Sequence, residues 1–193
     1  MSTKIWKEQT IPKILKAMGH TLPPLISVLD IGCGVSFKAQ YIPAEIHIAF
    51  DIYRPYFGGI DTNINYTPVV GNAKDVKDIF MPKSFDMVIA TDIIEHMHKA
   101  DGLQLLKDIE WLAKKVVYIE VPETYIPQNL DIWNKGGHTW QTHRSSGEWS
   151  IEELQSFGYD ISTRDYVMTN AKRHTEIDDI DPNVVILDGV KFL

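Results

Sequence analysis

The sequence predicts an α/β domain: a mostly parallel sheet with helices on both faces. Three observations carry that prediction. Short apolar runs of strand length alternate along the chain with amphipathic stretches of helical period. The run Val28-Leu29-Asp30-Ile31-Gly32-Cys33-Gly34 turns sharply at two glycines, as a strand does when it feeds a helix. A later run, Phe85-Asp86-Met87-Val88-Ile89-Ala90, ends almost wholly apolar, as a strand covered on both faces must.

Composition bounds the rest. A chain of 193 residues, 44% hydrophobic and 23% charged, is expected to form a single domain over 1–193 with a substantial core. The net charge of −7 argues against a surface built to neutralise nucleic-acid phosphates. Cys33 is the lone cysteine, which excludes a disulfide framework and a cysteine-based zinc site. No apolar run approaches membrane-spanning length and no secretory leader pattern opens the chain, so a cytoplasmic protein without a membrane partner is expected.

In order, residues 1–24 read as an N-terminal helical segment. Ile5, Ile11, Ile14, Leu15 and Met18 recur at helical spacing, Pro12 splits the pattern or starts a second helix, and Gly19 ends it. Ile26 to Leu29 form the first strand. Val35 to Tyr41 read as a helix of barely two turns, stopped by Pro43. Ile46 to Phe50 form the second strand, which ends in Asp51. A carboxylate roughly 20 residues after the glycine turn is where a nucleotide-type ligand places its ribose hydroxyls.

At this point the residues resemble the class I S-adenosylmethionine-dependent methyltransferases. The resemblance rests on Asp30-Ile31-Gly32-Cys33-Gly34 and Asp51 and runs from about residue 25 to 170. The family's third glycine is Ser36 here. The resemblance implies a Rossmann-like sheet of seven strands, mostly parallel, with the last strand antiparallel. It also implies S-adenosylmethionine as cofactor, held by Asp30, Gly32, Cys33, Gly34, Asp51, Ile52, Asn72, Ala73, Thr91 and Asp92. Asn72 stands where the family often has an Asp for the adenine amino group; read from its surroundings alone, it is equally a helix cap.

Residues 53–68 are loop-like, Val69-Val70 a short third strand, and Val76 to Phe80 a helix. The fourth strand delivers Thr91-Asp92-Ile93-Ile94-Glu95-His96. Residues 101–114 predict an amphipathic helix with Asp101 as cap and Lys114-Lys115 closing it, followed by a fifth strand, Val116 to Val121. The segment 122–148 is long, irregular and rich in Trp, Tyr and His, and reads as a substrate lid with aromatic walls. Lys135, His138, His143 and Arg144 lie there in a window without carboxylates, which favours an anionic or polar acceptor. Ser150 and Glu153 predict a capping box, Ile161 to Met168 the sixth strand, and Val184 to Leu187, extended through Val190 to Phe192, the last.

Methyl transfer to a small polar or anionic acceptor is therefore the expected activity. His138, His143 and His96 are candidate bases by residue type, for a hydroxyl acceptor that must lose its proton. His138 and His143 lack further clear ligands, so no metal site is expected. Two other readings compete. A nicotinamide-dependent oxidoreductase would share the glycine turn, but Phe37 stands where its third Gly or Ala belongs. A protein that binds the cofactor without catalysis, or as part of a modification complex, is the remaining alternative.

Overall fold

In the computed structural model, residues 10–128, 130–144, 148–167 and 183–193 are described. The expectations for residues 1–9, for Met168 and for the turn-rich stretch 170–182 lie outside them.

Seven strands form one sheet: β1 (Ser27–Ile31), β2 (Ile46–Asp51), β3 (Thr67–Val70), β4 (Phe85–Thr91), β5 (Ala113–Pro122), β6 (Asp160–Val167) and β7 (Asn183–Phe192). Their order is β3-β2-β1-β4-β5-β7-β6. Pairings from β3 through β5 are parallel, and β7 runs antiparallel between β5 and β6. The predicted sheet and its reversed last strand are both present.

Strand alternation sorts the core into two layers. Val28, Met87, Ile89, Val116 and Tyr118 pack on one face with Ile11 and Leu15. Leu29, Val88, Ala90, Val117 and Ile119 pack on the other with Leu105, Leu106, Ile109 and Leu112. The first face is covered by α1 (Ile11–Ala17), which starts with Pro12 in its opening turn, where no intrahelical donor is lost. The second is covered by α2 (Val76–Ile79), α3 (Lys99–Leu112) and, beyond the short α4 (His138–Gln141), by α5 (Ile151–Ser156).

Three local expectations are corrected. Val35–Tyr41 forms no α-helix: the chain turns and then makes a 3-10 segment, Lys38–Tyr41. Its entry residue Phe37 has φ +34°, the left-handed region that a glycine usually serves, and the ring is fully buried against His47 and Tyr66. Second, α3 is capped at His98, not Asp101, whose carboxylate pairs with Lys74 at 3.0 Å instead. Third, Lys114-Lys115 do not close α3. The helix passes straight into β5, and Lys115 reaches across the sheet to Pro24 O (2.7 Å) and to the Asp86 carboxylate (3.3 Å).

The predicted capping box is half realised. The Glu153 N–H donates to Ser150 Oγ at 3.2 Å, but the Glu153 carboxylate is taken by Lys99 at 2.5 Å. Pro68 sits in β3 because that strand is an edge. Among the described residues no helix is long and apolar enough to cross a membrane.

Candidate functional site

The carboxyl ends of β1, β2, β3 and β4 converge on one side of the sheet, where open α/β sheets bind ligands. A cavity of about 300 Å³ opens there, at the small end of the usual range for ligand sites. Gly32, Asp51, Ile52, Asn72, Ala73 and Asp92, all expected from the sequence, line it.

The backbone builds most of this wall. The Gly32 and Cys33 N–H groups donate to Phe50 O at 2.8 and 3.2 Å, which extends the β1–β2 pairing around the turn. Gly32 and Gly34 have φ +70° and +53°, and a Cβ on either would collide with Ile93 or with the Trp133 ring. Asp51 then ties the turn to β2: Oδ2 accepts from Gly34 N–H at 2.9 Å and Oδ1 from Tyr53 N–H at 2.8 Å. Burial raises its pKa, and these backbone donors work against that rise.

Asp30, Cys33, Gly34 and Thr91 stand behind the wall rather than on it; all are buried. Asp30 accepts from Ala39 N–H at 3.0 Å through Oδ2, while its buried Oδ1 has no partner. Burial pushes its pKa up to about 7 against the pull of the Ala39 N–H. Burial, followed by the charges of Asp30 and Asp51, pushes the Cys33 thiol up as well, so it is an inert core group. Asn72 realises the cap reading, with Oδ1 accepting from Lys74 N–H at 3.0 Å, yet it still lines the cavity.

Beyond β4, Asp92 lines the cavity and is tied to a network of side chains that the sequence did not bring together. Asp92, at φ +51°, pairs with Lys38 at 3.0 Å. Lys38 also pairs with Glu120 at 2.6 Å, Arg164 bridges Glu120 and Asp188 at 2.8 Å each, and the Tyr118 hydroxyl donates to Asp188 at 2.6 Å. Desolvation pushes the Asp92 carboxyl up, but Lys38, through charge and hydrogen bond, together with the charges of Arg164 and His96 holds it below the usual range. Burial keeps Glu120 above it.

The aromatic part of the 122–148 segment closes over the cavity. Trp133 packs edge-on against Tyr56 with centroids 4.7 Å apart, Tyr56 against Tyr53 at 4.9 Å, and the Tyr53 hydroxyl donates to Lys135 O at 2.7 Å. Trp133, Trp140 and Tyr56 all line the space. Tyr56, Met97 and His98 are lining residues that sequence reasoning did not single out, and Asp101, read from the sequence only as a helix cap, lines the cavity too. The 3-10 turn Arg54–Gly59 that delivers Tyr56 lies in a stretch that reads only as loop.

The candidate bases separate. His96 lines the cavity, with Nε2 3.7 Å from Glu95 Oε1. Burial and then the charge of Asp92 push Glu95 well up. His143 is buried and does not line the cavity; its Nδ1 accepts from Ile126 N–H at 3.3 Å. Burial, then His96, lowers its pKa to about 4. The ring is therefore neutral at pH 7 with its proton on Nε2, which makes it a donor and not a base. The side chain of His138 lies outside the described residues; its backbone opens α4. Among the described residues no group of three or more His, Cys, Asp or Glu could hold a metal ion.

The architecture is that of known structures. The chain superposes on phosphoethanolamine N-methyltransferase 2 from Haemonchus contortus, solved with phosphomonomethylethanolamine and S-adenosylhomocysteine, with a TM-score of 0.58 at 16% identity. That match covers 92% of this chain but 51% of the other, so this chain spans about half the length of the nematode enzyme. An S-adenosylmethionine-dependent methyltransferase from Archaeoglobus fulgidus matches with a TM-score of 0.57 at 16% identity, over 94% of this chain and 93% of that one. The fold is that of the S-adenosylmethionine-dependent methyltransferases. The magnesium protoporphyrin IX methyltransferase of Synechocystis, with S-adenosylhomocysteine bound, adds a third example: TM-score 0.54, 18% identity, 97% of this chain and 82% of the other. No protein-family model and no curated protein matches the sequence.

Proposed function

We propose that the protein is an enzyme that transfers the methyl group of S-adenosylmethionine to a small polar or anionic acceptor. One observation carries the proposal: a single cavity, in this fold, gathers Gly32, Asp51, Ile52, Asn72, Ala73 and Asp92 opposite Trp133, Trp140 and His96.

The residues present fit the cofactor. Both Asp51 oxygens are oriented by backbone donors, and each keeps a second lone pair for a ribose hydroxyl. The cradle around Gly32 and Gly34 is one that a Cβ would fill. In this reading Asp51 holds the ribose, Asn72 and Ala73 the adenine, and Asp92 the amino-acid end. When bound, the cofactor supplies a methyl group on a positively charged sulfur. The protein's part is orientation and exclusion of water, because that charge disperses as the methyl leaves. His96 is the residue positioned to take a proton from a hydroxyl acceptor; a neutral amine needs no such help.

The solved relatives in fold act on chemically unlike small molecules, so the acceptor must be read from this chain's own residues. The small volume of the cavity and the net charge of −7 support a small molecule over nucleic acid. Calorimetric titration with S-adenosylmethionine, S-adenosylhomocysteine and NAD tests the proposal. Roughly micromolar binding of the two sulfur nucleosides, and none of NAD, is expected. Binding of NAD alone would overturn it, and binding of the sulfur nucleosides with no transfer to any acceptor would leave a cofactor-binding protein.

A further inference from the structure

Among the described residues, the carboxylates that line the cavity each have a partner. Asp51 is satisfied by two backbone N–H groups, Asp92 by Lys38, and Asp101 by Lys74 at 3.0 Å. Arg144 also lines the cavity, half-buried, and among the described residues no carboxylate pairs with it. It is nonetheless held in place. Its backbone N–H donates to Glu95 O and its Nε to His96 O, both at 2.9 Å. The brace uses Nε and leaves the two terminal nitrogens of the guanidinium.

We infer that Arg144 is the anion-recognition residue of the acceptor site, set to take a carboxylate or phosphate group carried by the acceptor. This rests on the methyl-transfer reading and names the substrate class within it. A guanidinium presents parallel N–H donors that match either oxyanion, and removing it from water without a partner is unfavourable. The brace to His96 O places the anion next to His96. An acceptor anchored there brings a hydroxyl or amine a few bonds away to the candidate base. The substrate class is thus a small molecule with an anionic group at one end and a nucleophilic oxygen or nitrogen near the other.

The cofactor also carries a carboxylate, so the experiment separates the two sources. Inorganic phosphate is titrated at low ionic strength into wild type, Arg144→Gln and Arg144→Lys, with and without S-adenosylhomocysteine, followed by amide chemical shifts. S-adenosylhomocysteine and 5′-methylthioadenosine, which lacks the amino-acid carboxylate, are titrated in parallel. The expected result is saturable phosphate binding by wild type, at least about tenfold weaker in Arg144→Gln and partly restored in Arg144→Lys, with S-adenosylhomocysteine affinity unchanged. Phosphate binding that is absent from wild type, or equal in Arg144→Gln, overturns the inference. So does a loss of S-adenosylhomocysteine affinity without a loss for methylthioadenosine, which would give Arg144 to the cofactor's own carboxylate. Should wild type bind phosphate through Arg144 but no sulfur nucleoside, the anion site stands and the methyl-transfer reading fails.

Discussion

The two halves of the sheet's carboxyl edge hold their acids in opposite ways. Over β1 and β2, Asp30 and Asp51 are oriented by backbone N–H groups of Ala39, Gly34 and Tyr53. Over β4, β5 and β7, Asp92, Glu120 and Asp188 are oriented by side chains, Lys38, Arg164 and Tyr118. The first arrangement is local and depends on one turn. The second interlocks the glycine-turn segment with the β6–β7 hairpin, so a change to any member reaches the others. A ligand frame can be built from either, but only the second makes the stability of the domain part of the site.

The sharpest way to break that contrast is at Glu120, which accepts from both Lys38 and Arg164. Glu120→Ala leaves two nearly buried cations facing a deficit of negative charge. A loss of about 3–5 kcal/mol is expected, as for removal of one partner of a buried pair. Urea unfolding measures it, and adding Lys38→Met should recover part of the loss. A cost near that of an exposed pair, below about 1 kcal/mol, would show that the network is hydrated and weakly coupled.

The corresponding change in the other half should act on ligand, not fold. Asp51→Ala removes an acceptor whose hydrogen bonds to ribose are charge-assisted, each contributing about 1.5–3 kcal/mol. S-adenosylhomocysteine affinity should fall roughly 10- to 100-fold. The stability loss should be smaller than for Glu120→Ala, because the change leaves two neutral backbone N–H groups without a partner rather than two nearly buried cations. Unchanged affinity would remove Asp51 from the ribose role.

The same contrast explains what was legible in the sequence. Strand, glycine turn and following acid form a local pattern, and Asp30, Gly32 and Asp51 could be read from it because backbone geometry sets their positions. Lys38, Glu120, Arg164 and Asp188 are scattered along the chain. They meet only because β7 inserts between β5 and β6, and an isolated charge in a strand gives no sign of such a partner. Helix α3 shows a milder form of the problem. Asp101 is a good cap by residue type, but its carboxylate finds Lys74 from another element and the helix begins at His98. The histidines could not be ranked without the fold, since the Ile126 N–H fixes the His143 tautomer. Trp133 and Trp140 lie in a segment legible as aromatic and irregular, and both line the cavity, but the turn through Tyr56 that Trp133 packs on was not legible.

A smaller effect tests how completely backbone donors satisfy the first half. Asp30 has one oxygen bonded and one buried without a partner, and burial raises its pKa from 3.8 to about 7. Between those values the folded protein binds more protons than the unfolded chain, so stability must fall as pH rises through that window and level off above it. This is the reverse of the usual acid in an ion pair. Asp86, lowered chiefly by the Ile26 N–H and further by Lys115, contributes stability above its unfolded pKa and loses it as pH falls. Unfolding free energies of wild type and Asp30→Asn across pH 4 to 7 isolate the Asp30 contribution as their difference. That difference should grow in favour of the variant toward pH 7, since Asn cannot ionise. A pH-independent difference would mean that Asp30 Oδ1 is already solvated or bonded and that the carboxyl stays ionised, giving the cradle a fixed negative charge beneath the glycine turn.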